Sequence, residues 1–153
     1  MSSIAIGTFV KFNNQNDKAY QNFFIGKSQT WNSVDYLFAG FGYSGSTIDL
    51  ETANISASLV FAVNQLSLNL AAEAADNRWI VEIESVWLNP ETLATDKSYL
   101  KDTFMVTGFD HDTMRLNMRL SSPLDAVAAD APRRRLTEDL VGALPSTGQI
   151  ALL

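Results

Sequence analysis

The only histidine, His111, stands between Asp110 and Asp112, and a run of carboxylate, imidazole and carboxylate has the ingredients of a metal site or an acid–base pair. Adjacent side chains rarely aim at one point, whereas Asp and His both favour turn conformations, so the run reads as a tight turn with no catalytic role. Glu82 and Glu84 lie two residues apart on one strand face and could offer paired carboxylates to a substrate. The hydrophobic residues that alternate with them make a solvated outer face the simpler reading. No serine sits in a Gly-x-Ser-x-Gly elbow. Gly42-Tyr43-Ser44-Gly45-Ser46 has Ser46 in place of the last glycine, and every nucleophile would have to share one imidazole.

Other chemistry is bounded in the same way. The glycines of Gly40-Phe41-Gly42-Tyr43-Ser44-Gly45 have the Gly-x-Gly-x-x-Gly spacing of a dinucleotide-binding turn, but no helix-like stretch follows, so a bent strand is expected. The chain has no cysteine, which excludes disulfides, thiolate nucleophiles and cysteine-based metal centres. No metal or cofactor is called for. Trp31, Tyr36, Trp79 and Trp87 could line a groove for a sugar or another apolar ligand, making a small ligand-binding β module the alternative reading; in a β domain such residues more often fill the core. The densest basic cluster is Arg133-Arg134-Arg135, flanked by Asp125, Asp130, Glu138 and Asp139. With a formal net charge of -6, phosphate backbones would repel the whole molecule, so these arginines are expected to meet protein carboxylates rather than nucleic acid.

The elements that must position these residues are mostly strands. At 153 residues and 46% hydrophobic, the chain is long and apolar enough for a substantial core. Residues 4–12 and 19–25 are rich in β-branched and aromatic types, and 35–43 is an aromatic stretch interrupted by glycine. In 55–63, Ile55, Ala57, Leu59, Phe61 and Val63 share one face. Asn64 then stands as a helix cap, and Leu66, Leu70, Ala71 and Ala74 recur at helical spacing up to about Asn77. Residues 79–88 alternate clearly, 91–101 are polar and loop-like, and 103–109 and 113–120 form a hairpin across Asp110-His111-Asp112.

The fold expected is mainly β, an antiparallel β-barrel or sandwich with one short helix and an extended C-terminal arm. The β domain occupies residues 1–124 and the arm 125–153. Three of the four prolines, Pro123, Pro132 and Pro145, fall after the last strand. In the arm, Leu136, Leu140, Val141, Leu144 and Ile150 are the candidate anchors in an interface, with Arg133, Arg134 and Arg135 setting orientation. The first residues lack a basic region and a long apolar core, and no apolar run reaches the roughly eighteen residues of a membrane span, so a cytoplasmic site of synthesis and no membrane anchor are expected.

The order of these features resembles tail-tip and baseplate-hub proteins of long-tailed bacteriophages, the group around the minor tail protein L. The matching residues are Trp31 with Tyr36, then Ser44-Gly45, Ser58-Leu59-Val60-Phe61, and the short helix leading to Trp79-Ile80-Val81-Glu82-Ile83. A final hairpin, Ser122-Pro123-Leu124-Asp125, Pro132-Arg133-Arg134-Arg135-Leu136 and Gly142-Ala143-Leu144-Pro145 complete the series. The resemblance implies a non-enzymatic β-barrel hub subunit of the virion, assembled in the host cytoplasm. Such subunits usually form a trimer about the tail axis and join the tail tube to the central spike or fibres. Longer members end in a cysteine-containing iron–sulfur segment; a chain without cysteine takes over no cluster.

Overall fold

Alternation along the first strand already divides the molecule into two packed faces. The computed structural model describes residues 3–13, 18–52 and 54–124. In β1 (Ala5–Asn13), Val10 and Phe12 enter the main core, while Phe9, pointing the other way, enters a second cluster. β2 (Lys18–Gln21) pairs with β1, and β3 (Gln29–Trp31) makes a hairpin with β4 (Val34–Phe38). Next come β5 (Phe41–Tyr43), β6 (Thr47–Ile48), β7 (Ile55–Ala62), the helix α1 (Gln65–Asp76), β8 (Ile80–Leu88), β9 (Thr95–His111) and β10 (Arg115–Ser121). Among the described residues the protein is therefore mainly β with one helix.

All ten strands belong to one sheet, in the order β3-β4-β2-β1-β8-β9-β10-β7-β5, with β6 also on β7. β9 forms the corner. Its first part pairs with β8 and its last part, from Met105 to His111, with β10, so one strand passes from one half of the sheet to the other. The ladder does not close into a barrel. Instead β4 pairs with β2 near one end, β5 pairs with β7 at the other, and only Ala39 and Gly40 separate β4 from β5. The chain itself crosses the seam that the hydrogen bonds leave open.

The main core joins Val10, Phe12, Leu59, Phe61, Val81, Ile83, Phe104, Val106, Leu116, Met118 and Leu120 beneath α1. Fully burying a side chain of this size contributes about 1.5–3 kcal/mol, so these positions dominate the stability. Leu70, Ala71 and Ala74 are the helix's contribution; the two alanines let its backbone lie close to the sheet. The second cluster centres on Phe9, whose ring lies 4.6 Å from that of Tyr36, 5.3 Å from Phe23 and 5.8 Å from Trp31. Gly7 makes this cluster possible. A Cβ at that position would come within 2.4 Å of the Phe23 ring and 2.9 Å of Leu88.

Several sequence expectations need correction. The polar stretch 91–101 is not a loop throughout, because β9 begins at Thr95 and its ladder to β8 continues through Val86–Ser98 and Leu88–Thr95 pairs. Backbone pairing with β8 carries this segment, whatever its side-chain polarity. The sheet is mixed rather than wholly antiparallel: the β3–β4 hairpin reverses the chain so that β4 returns parallel to β2. The strand expected over 19–25 stops at Gln21, whose buried amide accepts from the N–H groups of Phe23 and Phe24 and donates to the carbonyls of Phe24 and Lys27. These four bonds wind the chain into a loop. The arm, with Arg133, Arg134, Arg135, Leu136, Leu140, Val141, Leu144 and Ile150, lies outside the described residues.

Candidate functional site

The chemically suggestive residues occupy ordinary structural positions. β9 runs through His111, and the turn that follows is built on Asp112, whose carboxylate accepts the N–H groups of Met114 and Arg115 at 2.7 Å each. Those two bonds hold the Asp112 carboxyl below its usual range. The exposed His111 ring places Nδ1 3.3 Å from the Asp112 carbonyl oxygen. With Asp110, Arg115 and Asn117 it edges a shallow depression of about 350 Å³. Among the described residues no group of three His, Asp or Glu side chains could hold a metal ion.

Glu82 and Glu84 are half-buried rather than on a freely solvated face. The β3–β4 hairpin folds over them and brings Tyr36 close, and their charges add to burial in pushing the Tyr36 hydroxyl up to about 12. Tyr36, Trp31 and Trp79 pack in or against the two cores. Trp87 does not. It pairs across strands with Ile6, and its ring lies 4.7 Å from that of Tyr99.

That arrangement exposes an apolar row across β1, β8 and β9. Ile6 is 52% exposed, Tyr99 46% and Leu100 38%, unusual for large apolar side chains lying side by side. The row borders an open strand edge. Among the described residues, no strand pairs with the outer side of β9 over 95–104, because the β10 ladder begins only at Met105. The Ser122 N–H turns the other way, to the Ile55 carbonyl beside β7 at 3.0 Å, and Pro123 follows with no N–H to offer a ladder toward β9. The free edge spans roughly 33 Å at about 3.3 Å per residue. Asp96, Lys97, Lys101 and Asp102 punctuate it with charge, which discourages indiscriminate pairing.

A second concavity lies at the seam between β4 and β5. It is a cleft of about 610 Å³ walled by Tyr20, Phe38, Phe61, Leu66 and Leu70, with Asn64, Ser67 and Asn69 along the helix side. Lys18 closes one end, its Nζ 3.3 Å from the Glu73 carboxylate and 5.4 Å from the centre of the Trp79 ring. Asn22 fastens the neighbouring strands, accepting the Thr8 N–H at 3.0 Å and donating to the Phe41 carbonyl at 3.3 Å.

No known protein-family model matches the chain, and a search of curated proteins finds no match.

The open edge and the seam cleft are the features that reading the sequence missed. Thr95, Tyr99, Leu100 and Thr103 are β-forming types inside the polar stretch and were the available signal for the first. The second has no local signal, since it is made by Tyr20, Phe38, Phe61 and Leu70 arriving from four separate elements.

Proposed function

We propose that the protein is a structural subunit that acts by joining other protein chains: a hub component of a bacteriophage tail tip or baseplate, connecting the tail tube to the central spike or fibres. The observation that carries the assembly role is the open 95–104 edge of β9 beside the Ile6, Trp87, Tyr99 and Leu100 row. A strand laid along that edge would gain main-chain hydrogen bonds, and its side chains would cover apolar surface now in water, the two ingredients of β-augmentation. The bacteriophage assignment rests on the ordered resemblance from Trp31 to Pro145. In this reading the protein is a homo-oligomer, of the trimeric kind usual in that group, and performs no reaction.

The test is the double substitution Tyr99→Lys, Leu100→Glu, at positions exposed enough to spare the core. The variant is expected to keep its far-UV circular dichroism and to fail to co-assemble with tail-tube and spike proteins in particle reconstitution. Normal assembly would overturn the reading. The 610 Å³ apolar cleft favours a second one, a small ligand-binding β module. Chemical-shift changes at Tyr20, Phe38 or Leu66, which line the cleft, in a glycan titration would support it.

A further inference from the structure

The direction of each main-chain group along β9 follows from the bonds around it. The Val106 N–H donates to the Trp79 carbonyl at 3.0 Å, so Val106 turns its main chain toward β8. Residues two apart along a strand turn the same way, and the ladder is unbroken from Ile80 with Met105 to Ser85 with Leu100, so Phe104, Asp102 and Leu100 also face β8. Thr8 agrees from the far side of β8. Its N–H and carbonyl are both taken by Asn22, at 3.0 and 3.3 Å, which leaves its cross-strand partner Ser85 facing β9. Met105 therefore faces outward, where it pairs with Ser121 of β10. Thr103 and Lys101 face the same way, and among the described residues no strand lies beside them.

Two features limit what can lie along this edge. Ser85 pairs with Leu100 but Val86 with Ser98, so Tyr99 is the extra residue of a β-bulge and the regular part of the edge is 100–104. Continuing the register of Ser121 with Met105 would set Pro123 opposite Thr103, and a proline has no N–H to give. The side chains then add polarity. Asp102 shares a face with Leu100, whereas Lys101 and Thr103 share the other. Asp102 keeps its charge, because the Tyr43 hydroxyl at 2.9 Å is a neutral donor to one of its oxygens. Lys101 lies across from Glu84 without closing an ion pair among the described residues. A second copy of the chain is a poor occupant: bonding Lys101 to Thr103 of that copy would set the two Asp102 side chains against each other, and like charges directly opposite destabilise a ladder.

We propose that the partner enters as an extended segment antiparallel to β9, bonded to the N–H and carbonyl groups of Lys101 and Thr103. It carries a basic residue opposite Asp102, an acidic one opposite Lys101 and an apolar one opposite Leu100. Read along the partner, the order is basic, acidic, apolar in three successive positions. Alternation puts the basic and apolar residues on the face of the Ile6 and Trp87 row and the acidic residue on the other. The inference rests on the β9 edge being the contact surface, and it names the main-chain anchors of that edge and the side chains it selects.

The probe is a capped peptide, Thr-Val-Lys-Glu-Leu-Thr-Val, added to the full-length protein, with a control peptide in which Lys and Glu are exchanged. Without peptide, the amides of Lys101 and Thr103 are expected to exchange hydrogen at least about tenfold faster than those of Leu100 and Asp102, which β8 protects. With the peptide bound, the same two amides are expected to slow at least about tenfold. The control should bind about tenfold more weakly, since both of its charges meet like charges. Lys101→Pro removes one outward N–H and none of those given to β8, so this variant should keep its far-UV circular dichroism and lose the peptide. Lys101→Glu leaves the main chain whole and should weaken the peptide about threefold or more. Equal binding of the two peptides, no binding at millimolar peptide, or binding that leaves the Lys101 and Thr103 amides unprotected would overturn the inference. Normal co-assembly of the Tyr99→Lys, Leu100→Glu chain would instead overturn the assembly reading, whatever the peptide does.

Discussion

Tyr36 and Tyr43 bind their protons more tightly in the fold than in an open chain. Burial is the larger cause in both; Glu84 and Glu82 add to it at Tyr36, and at Tyr43 the hydroxyl donates to the Asp102 carboxylate at 2.9 Å. Tyr36 is pushed up to about 12, and Tyr43 is raised further. An unfolded tyrosine titrates near 10. Below that pH both states hold the proton and the stabilisation is whole; as pH climbs from about 10 through 12 the unfolded chain alone gives it up, and stability falls. Tyr36→Phe removes one such group. Urea unfolding at pH 8 and pH 11 is expected to show a smaller alkaline loss for Tyr36→Phe than for the parent chain; equal losses would mean that Tyr36 is not held protonated. The same cluster shows how a single residue escapes sequence reading. Gly7 sits inside a good strand pattern, and only the Phe23 ring and Leu88 packed over it give the reason a side chain cannot be there.

At the level of elements, the helix is the part whose sequence signals and structure agree best. Asn64 accepts the Ser67 N–H at 2.8 Å, Ser67 Oγ accepts the Asn64 N–H at 3.0 Å, and the same hydroxyl donates to the Ala62 carbonyl at 2.8 Å, tying the cap to the end of β7. Asn64→Ala should lower the unfolding free energy by about 1 kcal/mol, read from the urea midpoint, while Asn64→Ser, which keeps an acceptor, should be nearly neutral. A full loss in the serine variant would contradict the capping account. β7, β10 and the first half of β8 were legible for a related reason: Leu59, Met118 and Ile83 sit on a deeply buried face whose neighbours along the strand, such as Ser58, Asn117 and Glu82, are less buried. The first half of β9 was illegible because side chains on both of its faces meet water over 96–101, and no alternation survives. Its importance as an open edge was further out of reach. An unpaired edge is a property of which strands do not arrive beside it, and here β10 ends at Ser121 with Pro123, which has no N–H, just beyond. The arm could be picked out by its prolines and arginines; the seam cleft, assembled from distant elements, could not.

For the whole molecule, the division of labour between domain and arm makes a sharp claim. Among the described residues, the last buried member of the two hydrophobic clusters is Leu120, near the end of β10. A chain ending at Leu124 is therefore expected to unfold in one cooperative thermal transition with a β-type far-UV spectrum, and yet to fail in reconstitution with tail-tube and spike proteins. In the full-length chain, changing Arg133, Arg134 and Arg135 together to alanine should weaken the same association and make it less sensitive to salt, since guanidinium–carboxylate pairs would have been removed. A truncated chain that assembled normally would show that the arm is dispensable and leave the β9 edge to act alone. A triple variant with undiminished affinity and unchanged salt dependence would instead confine the arm's role to its leucines. The Tyr99→Lys, Leu100→Glu chain keeps the arm and loses the edge, so it and the truncated chain together separate the two contact surfaces: if each is required, either change alone abolishes assembly while leaving both cores intact.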